Sequence, residues 1–255
     1  MNVYVSLTTI KQNESIVVET LQSIAAQTRL PDKCFIFLSD TPYLLDPGFT
    51  NRAIGPQLSE FIGSNPLFEL RWCLNTGPFR KLLPLLEERF EEDCLIVAID
   101  DDTVYTATFL EKIVDDFNRY KCCTSSWALT LQHSGDIRGL NYENFAYPIS
   151  NYLYNFHLGK GGVAYHPSFF NKTRNIMFDD DLIKKTCPTN DDVWFNFMRI
   201  ANGISCHSDN ASYMTKDNTN TQTALWFNIN GWNRTNSKYM QATIDLLISE
   251  GLLTE

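Results

Sequence analysis

Three consecutive carboxylates, Asp100-Asp101-Asp102, follow the apolar run Leu95-Ile96-Val97-Ala98-Ile99. Carboxylates this close raise one another's pKa and weaken a fold unless a cation neutralises them. If the run is a strand, alternation turns Asp100 and Asp102 to one side and Asp101 to the other. One pair can then converge on a divalent ion while the remaining carboxylate meets another part of a ligand. Hard oxygen donors favour Mg²⁺ or Mn²⁺, with diphosphate oxygens and water completing the shell. The plain alternative is a solvated acidic turn.

A second triplet, Asp179-Asp180-Asp181, has the same composition in a different setting. It follows a short mixed segment and precedes Leu182-Ile183-Lys184-Lys185, so acids followed by bases suit a helix dipole and a structural role. Asp115-Asp116 falls inside a helical pattern and reads as a solvated face. Asp191-Asp192 opens another helix, where dipole-favoured capping accounts for one aspartate more easily than for two. His207, in Ser205-Cys206-His207-Ser208-Asp209, could bring an imidazole to Mn²⁺, although a lone histidine is commonly structural. His133, His157 and His166 show no metal spacing.

The elements that must position these residues alternate between strand and helix. Val3–Leu7 reads as a strand ending in Thr8-Thr9. Ser15 can cap a helix over residues 16–26, with Ile16, Thr20, Leu21 and Ile24 on one face. The uninterrupted run 34–38 suits a strand buried on both faces. Residues 68–73 follow as a strand, 81–90 as a helix, 95–99 as the clearest buried strand and 107–120 as a helix. This alternation predicts an α/β fold with a mostly parallel sheet covered by helices on both faces. Ligands of such sheets bind beyond the carboxyl ends of the strands. Chemistry is therefore expected at Thr8-Thr9, at Ser39-Asp40 and at the 100–102 triplet.

Beyond about residue 133 the pattern loosens into Tyr, Asn and Gly. A short strand is expected at 163–165, and a helix over 191–201 capped by Thr189 or Asn190. A long Asn/Thr-rich loop or lid spans 215–238, and an amphipathic helix covers 240–252.

The chain has 255 residues and is 44% hydrophobic, enough for one α/β domain with a sizeable core. A formal net charge of −9 argues against a nucleic-acid-coating surface or a polybasic membrane patch. An acidic protein handling a phosphorylated substrate needs a bridging cation. Seven cysteines, odd in number and without CxxC spacing, read as reduced structural thiols. Neither a signal peptide nor a membrane span is expected, so the protein is placed in a cytoplasm, that of the host if viral. The Asn-x-Ser/Thr sequons at Asn13, Asn171, Asn210 and Asn233 then carry no meaning.

Several segments in order resemble small GT-A glycosyltransferases of bacteria and large DNA viruses. They are Leu7-Thr8-Thr9-Ile10 with Gln27-Thr28 and Pro31-Asp32-Lys33, then Gly77-Pro78-Phe79-Arg80-Lys81-Leu82, then Ile99-Asp100-Asp101-Asp102. Gly161-Gly162-Val163-Ala164-Tyr165 and Cys187-Pro188-Thr189-Asn190-Asp191-Asp192-Val193-Trp194 complete the series. The resemblance covers about residues 1–205. It implies a single GT-A-like catalytic domain over 1–213, with the polar loop and terminal helix in 214–255. It also implies a nucleotide-sugar donor, UDP-linked first and GDP-linked second, and a glycan or other hydroxyl acceptor.

By the same resemblance Asp102 would hold the metal, with Asp100 and His207 as further ligands. Asp100 or Asp101 would meet the ribose or a metal-bound water, Lys81 the diphosphate, and Thr8 and Thr9 the base and ribose. Gly161 and Gly162 would let backbone approach the sugar. Asp192, or else Asp191, would deprotonate the acceptor in an inverting displacement. Gln132-His133-Ser134-Gly135 departs from the basic segment expected there.

Two other functions compete. A sugar nucleotidyltransferase also pairs acids with Mg²⁺, but it cradles a triphosphate in a Gly-rich basic loop after the first strand. Thr8-Thr9-Ile10-Lys11-Gln12-Asn13 has no glycine. A carbohydrate-binding module could use the five tryptophans, but it would have no use for a strained acidic triplet.

Overall fold

An apolar run without polar interruption is stable as a strand only when both of its faces are covered. Two such runs, β2 (Lys33–Leu38) and β4 (Cys94–Ala98), flank β1 (Asn2–Thr8), interrupted only by the buried Ser6, and β3 (Phe68–Trp72), which carries Glu69 and Arg71, closes that edge of the sheet. They lie parallel in the order β4-β1-β2-β3, with Val5 opposite both Cys34 and Val97. The helices α1 (Ile16–Ala25), α2 (Pro56–Ser64) and α3 (Leu83–Glu88) lie between these strands in the chain. The computed structural model describes residues 1–132, 135–211, 213–232 and 234–254. His133, Ser134 and Asn233, named above, lie outside the described residues.

The second half builds on this core. It runs through β5 (Thr103–Tyr105), α4 (Phe109–Tyr120), β6 (Cys123–Ser125), β7 (Ala128–Gln132), β8 (Asn141–Ala146), β9 (Asn155–His157) and β10 (Val163–Tyr165). There follow α5 (Arg174–Met177), α6 (Asp180–Thr186), α7 (Asp191–Ala201), β11 (Cys206–His207), β12 (Met214–Asp217) and α8 (Thr235–Ser249). β10 enters antiparallel between β4 and β6, and β11 adds the edge, giving seven strands. A small sheet, β8-β7-β9, stands apart from them, and β12 pairs with β5. The result is an α/β, GT-A-like fold with helices on both sides of a mostly parallel sheet.

Several local expectations shift. Ser15 precedes α1 but its backbone is already helical and its side chain makes no capping bond. The helix expected from Lys81 divides into a 3₁₀ turn, Gly77–Lys81, and then α3. Pro84 falls in the first turn of α3, where a missing N–H is harmless. The 215–238 stretch holds the end of β12, a π-helical turn at Trp226–Asn230 and the first turn of α8, which starts five residues earlier than expected. All seven cysteines are free, and six are buried. No helix among the described residues is long and apolar enough to cross a membrane.

Candidate active site

A cleft of about 890 Å³ opens beyond the carboxyl ends of the central strands. Thr8, Thr9 and Ile10 line it from the end of β1, and Asp100, Asp101 and Asp102 from the end of β4. β4 stops at Ala98, so the triplet sits in a turn rather than on the strand itself. Its side chains still diverge. Asp101 turns inward, where Thr9 Oγ1 and Asn13 Nδ2 (3.2 Å) donate to its carboxylate. Its carbonyl accepts from Thr20 Oγ1 at 2.8 Å, pinning the turn to α1. Burial, and then the neighbouring Asp102, push the Asp101 carboxyl up to about 7. Asp102 is also raised, by burial first and by Asp100 second.

Lys81 joins the two acidic groups of the cleft. Its Nζ lies 2.7 Å from Asp100 Oδ1 and 2.8 Å from Asp191 Oδ2, with only 8% of the side chain exposed. Burial opposes its charge, yet Asp100, Asp191 and Asp192 outweigh that and hold its pKa well above the ordinary lysine value. Lys81 is therefore no ordinary surface lysine; its charge is committed to holding the acids in place. Asp191 and Asp192 open α7, whose first turn is capped by the Asn190 side chain accepting from the Val193 N–H at 2.9 Å. Asp192 Oδ1 accepts the Gly159 N–H at 2.9 Å. Burial, Asp191 and Asp100 drive the Asp192 carboxyl up to about 8, against the pull of Lys81 and Gly159.

Gly159 is the residue that the sequence reading missed. A Cβ there would lie 2.4 Å from Lys81 Nζ and 2.9 Å from Asp192 Oδ1. Its bare backbone is what lets the ammonium and the carboxylate pack together. Gly161 and Gly162, expected to face a sugar, do not line the cleft. Their missing side chains make room for Trp127 and for the Phe109 ring, and Gly162 also holds a φ of +75°. The glycine pair serves packing, and its neighbour serves the site.

Two further expectations are corrected. Asp40 lies exposed and pairs with Arg52 at 2.8 Å instead of lining the cleft. Past β2 the inward acid is Asp46, buried and bonded to Arg80 Nη2 at 2.8 Å. His207 is buried in β11, stacks on Tyr120 at 3.8 Å and shares a 3.0 Å hydrogen bond between Nδ1 and Ser150 Oγ. It does not reach the cleft, so it is not a ligand for the triplet.

Thr8 lines the cleft while its hydroxyl donates to the Phe37 carbonyl at 2.8 Å. Asp179 accepts from the N–H groups of Asp181 and Leu182, both at 3.0 Å, so the second triplet caps α6 as expected. Asp115 is exposed, but Asp116 is largely buried beside Lys112, 2.7 Å away. The reading also passed over Lys160, which lines the cleft and bonds to Asp217 at 2.5 Å and Thr219 at 2.7 Å. Its position just before Gly161-Gly162 was the available signal.

The architecture that holds this cleft has solved counterparts. The chain shares its fold with S. aureus TarS. The crystal structure of TarS 1-349 superposes with a TM-score of 0.53 at 16% identity, over 84% of this chain and 60% of that one. TarS 1-349 in complex with UDP-GlcNAc gives 0.53 at 15% identity, over 88% and 61%. Full-length TarS gives 0.52 at 17% identity, over 99% and 43%. This chain thus spans less than two thirds of TarS. At such identity the likeness to TarS concerns the fold alone. No protein-family model matches the sequence, and no curated protein matches it.

Proposed function

We propose that the protein is a glycosyltransferase that moves a sugar from a nucleoside diphosphate to an acceptor hydroxyl, with inversion at the anomeric carbon. The observation that carries this reading is the pairing across one cleft of the Asp100–Asp102 turn with Asp191-Asp192, bridged by Lys81. Solved structures of TarS, of the same fold, hold UDP and UDP-GlcNAc, which supports a UDP-sugar donor ahead of a GDP-sugar.

In this reading Thr8, Thr9 and Asn13 face the nucleoside, at the strand ends where such sheets bind ligands. Asp192 takes the acceptor proton while the acceptor oxygen bonds to the anomeric carbon and the diphosphate leaves with the electrons of the broken bond. The Asp192 carboxyl, pushed up to about 8 by burial and by Asp191, acts as a base in its ionised fraction, which grows as pH rises through that value. Asp191, held by Lys81, orients the pair.

The donor set also fits Mg²⁺ or Mn²⁺. Asp102 is a desolvated carboxyl beside Asp100, so a cation would relieve its raised pKa. No group of three or more His, Cys, Asp or Glu side chains among the described residues forms a ready cage. One or two carboxylates completed by substrate oxygens is the usual way such ions are held. An ion bound by Asp102 and Asp100 would offset the charge gathering on the departing diphosphate.

The test is incubation with Mn²⁺ and a panel of nucleotide-sugars, followed by analysis of the released nucleotide. Nucleoside diphosphate, with product of opposite anomeric configuration by NMR, supports the reading. Sugar 1-phosphate released in place of nucleoside diphosphate would indicate nucleotidyl transfer, and no turnover across the panel would indicate a binding module; either result overturns it.

A further inference from the structure

The cleft changes character away from the triplet. Trp127, just before β7, Leu129 within it, Tyr142 and Phe145 of β8, and Trp226 and Phe227 of the π-helical turn form an apolar wall. Trp226 is 55% exposed and Phe227 48%. Exposed rings gathered at a cleft mark a ligand surface.

The π turn is a built feature, of a kind that recurs at functional sites. The Gly231 N–H closes it on the Trp226 carbonyl at 2.9 Å, and a Cβ at Gly231 would approach that same oxygen to 2.6 Å. Asn230 fastens it to Thr189: Asn230 Nδ2 donates to the Thr189 carbonyl at 2.9 Å, and Thr189 Oγ1 donates to Asn230 Oδ1 at 2.5 Å. Thr189 directly precedes Asn190, the cap of the helix that carries Asp192. The turn that carries the rings is therefore tied, through Thr189, to the start of the helix that carries the proposed base.

Charge selects the occupant. The cations lining the cleft are Arg80, Lys81 and Lys160, and each is committed to a carboxylate: Asp46, Asp100 with Asp191, and Asp217. Among the described residues that line the cleft, no basic side chain is left without a carboxylate partner to receive a phosphate, and the chain carries a net charge of −9. The C–H face of a pyranose ring is apolar and slightly positive, which complements the negative face of an indole.

We infer that Trp226, Phe227 and Trp127 form the acceptor subsite, and that the acceptor is a neutral, pyranose-bearing glycan rather than a phosphorylated one. This rests on the glycosyltransferase reading above and narrows it. Trp226 is a positioning residue: its ring carries the sugar and thereby sets one hydroxyl before Asp192.

The experiment is saturation-transfer difference NMR on the chain with UDP, using a panel of methyl hexopyranosides against the 6-phosphates of the same pyranosides. At least one pyranoside should show saturation confined to the protons of one ring face. Trp226→Ala should weaken that binding about 3- to 10-fold, the worth of one ring contact. Trp226→Phe should restore most of it, and UDP affinity should stay within about twofold in both variants. The inference is overturned if no neutral pyranoside binds, if its 6-phosphate binds more tightly, or if Trp226→Ala leaves the signal unchanged. Loss of UDP binding by the unmodified chain would instead count against the donor reading, so the two failures are told apart.

Discussion

Replacing Lys81 with methionine keeps the buried stem and removes the charge that holds Asp100 and Asp191 at 2.7 and 2.8 Å. Breaking a buried ion pair by deleting one partner costs about 3–5 kcal/mol, because the remaining charges stay desolvated. At roughly 2–4 °C per kcal/mol for a chain of this size, the melting temperature should fall by about 10 °C at pH 8. The loss should depend on pH in a definite sense. The pKa of Lys81 is raised in the fold, so its stabilising contribution is complete below its unfolded value and disappears only in alkali above it. The pH dependence near neutrality therefore comes from the acids. Asp192 moves from 3.8 unfolded to about 8 folded, so its destabilising effect grows as pH rises from near 4 and is complete above about 8. Without the ammonium that effect enlarges. Urea denaturation of both proteins at pH 4.5, 6 and 8 should show a gap that widens with pH. A gap below about 1 kcal/mol at pH 8, or one equal at all three values, would refute the picture of Lys81 as the cation of this cluster.

Asp192→Asn should lower turnover by about 10²–10⁴-fold with donor affinity unchanged, measured beside Asp191→Asn, which should also destabilise the fold. Asp102→Asn should abolish metal-dependent turnover and raise the melting temperature in metal-free buffer, whereas Asp180→Asn should change stability by no more than about 0.5 kcal/mol. Gly159→Ala should cost about 1–3 kcal/mol and most activity, since its methyl must displace Lys81 Nζ or Asp192; calorimetry and turnover check both. Proteolysis within 215–238 should slow when UDP and Mn²⁺ are added, if that segment orders over the ligand.

The central strands were legible because they are buried on both faces, so composition alone marks them, as in Cys34 to Leu38 and Leu95 to Val97. The two triplets were separable for a related reason: one ends such a strand, and the other begins a helix that its own Asp179 caps. The small sheet was not legible. β8 reads Asn141–Ala146 with most residues at least partly exposed, so no apolar alternation betrays it. The antiparallel sense of β10 was equally hidden, because three residues carry no sign of direction. Asp40 misled because the strand-end rule locates a region and not a side chain; the chain turns outward there and returns with Asp46. Gly161 and Gly162 drew attention as a pair, while Gly159 acts through the space it leaves for Lys81, which only the fold brings near it.

That space bears on how such a cleft can change over generations. Position 159 admits no side chain without moving Lys81 or Asp192, so substitution there meets the charge cluster at once. The aromatic wall is under no such restraint: Trp226 and Phe227 project into the cleft from a turn held by other residues, Asn230 and Gly231. A lineage carrying this chain can exchange those rings and so reshape the cleft wall, while the glycine keeps Lys81 and Asp192 in register.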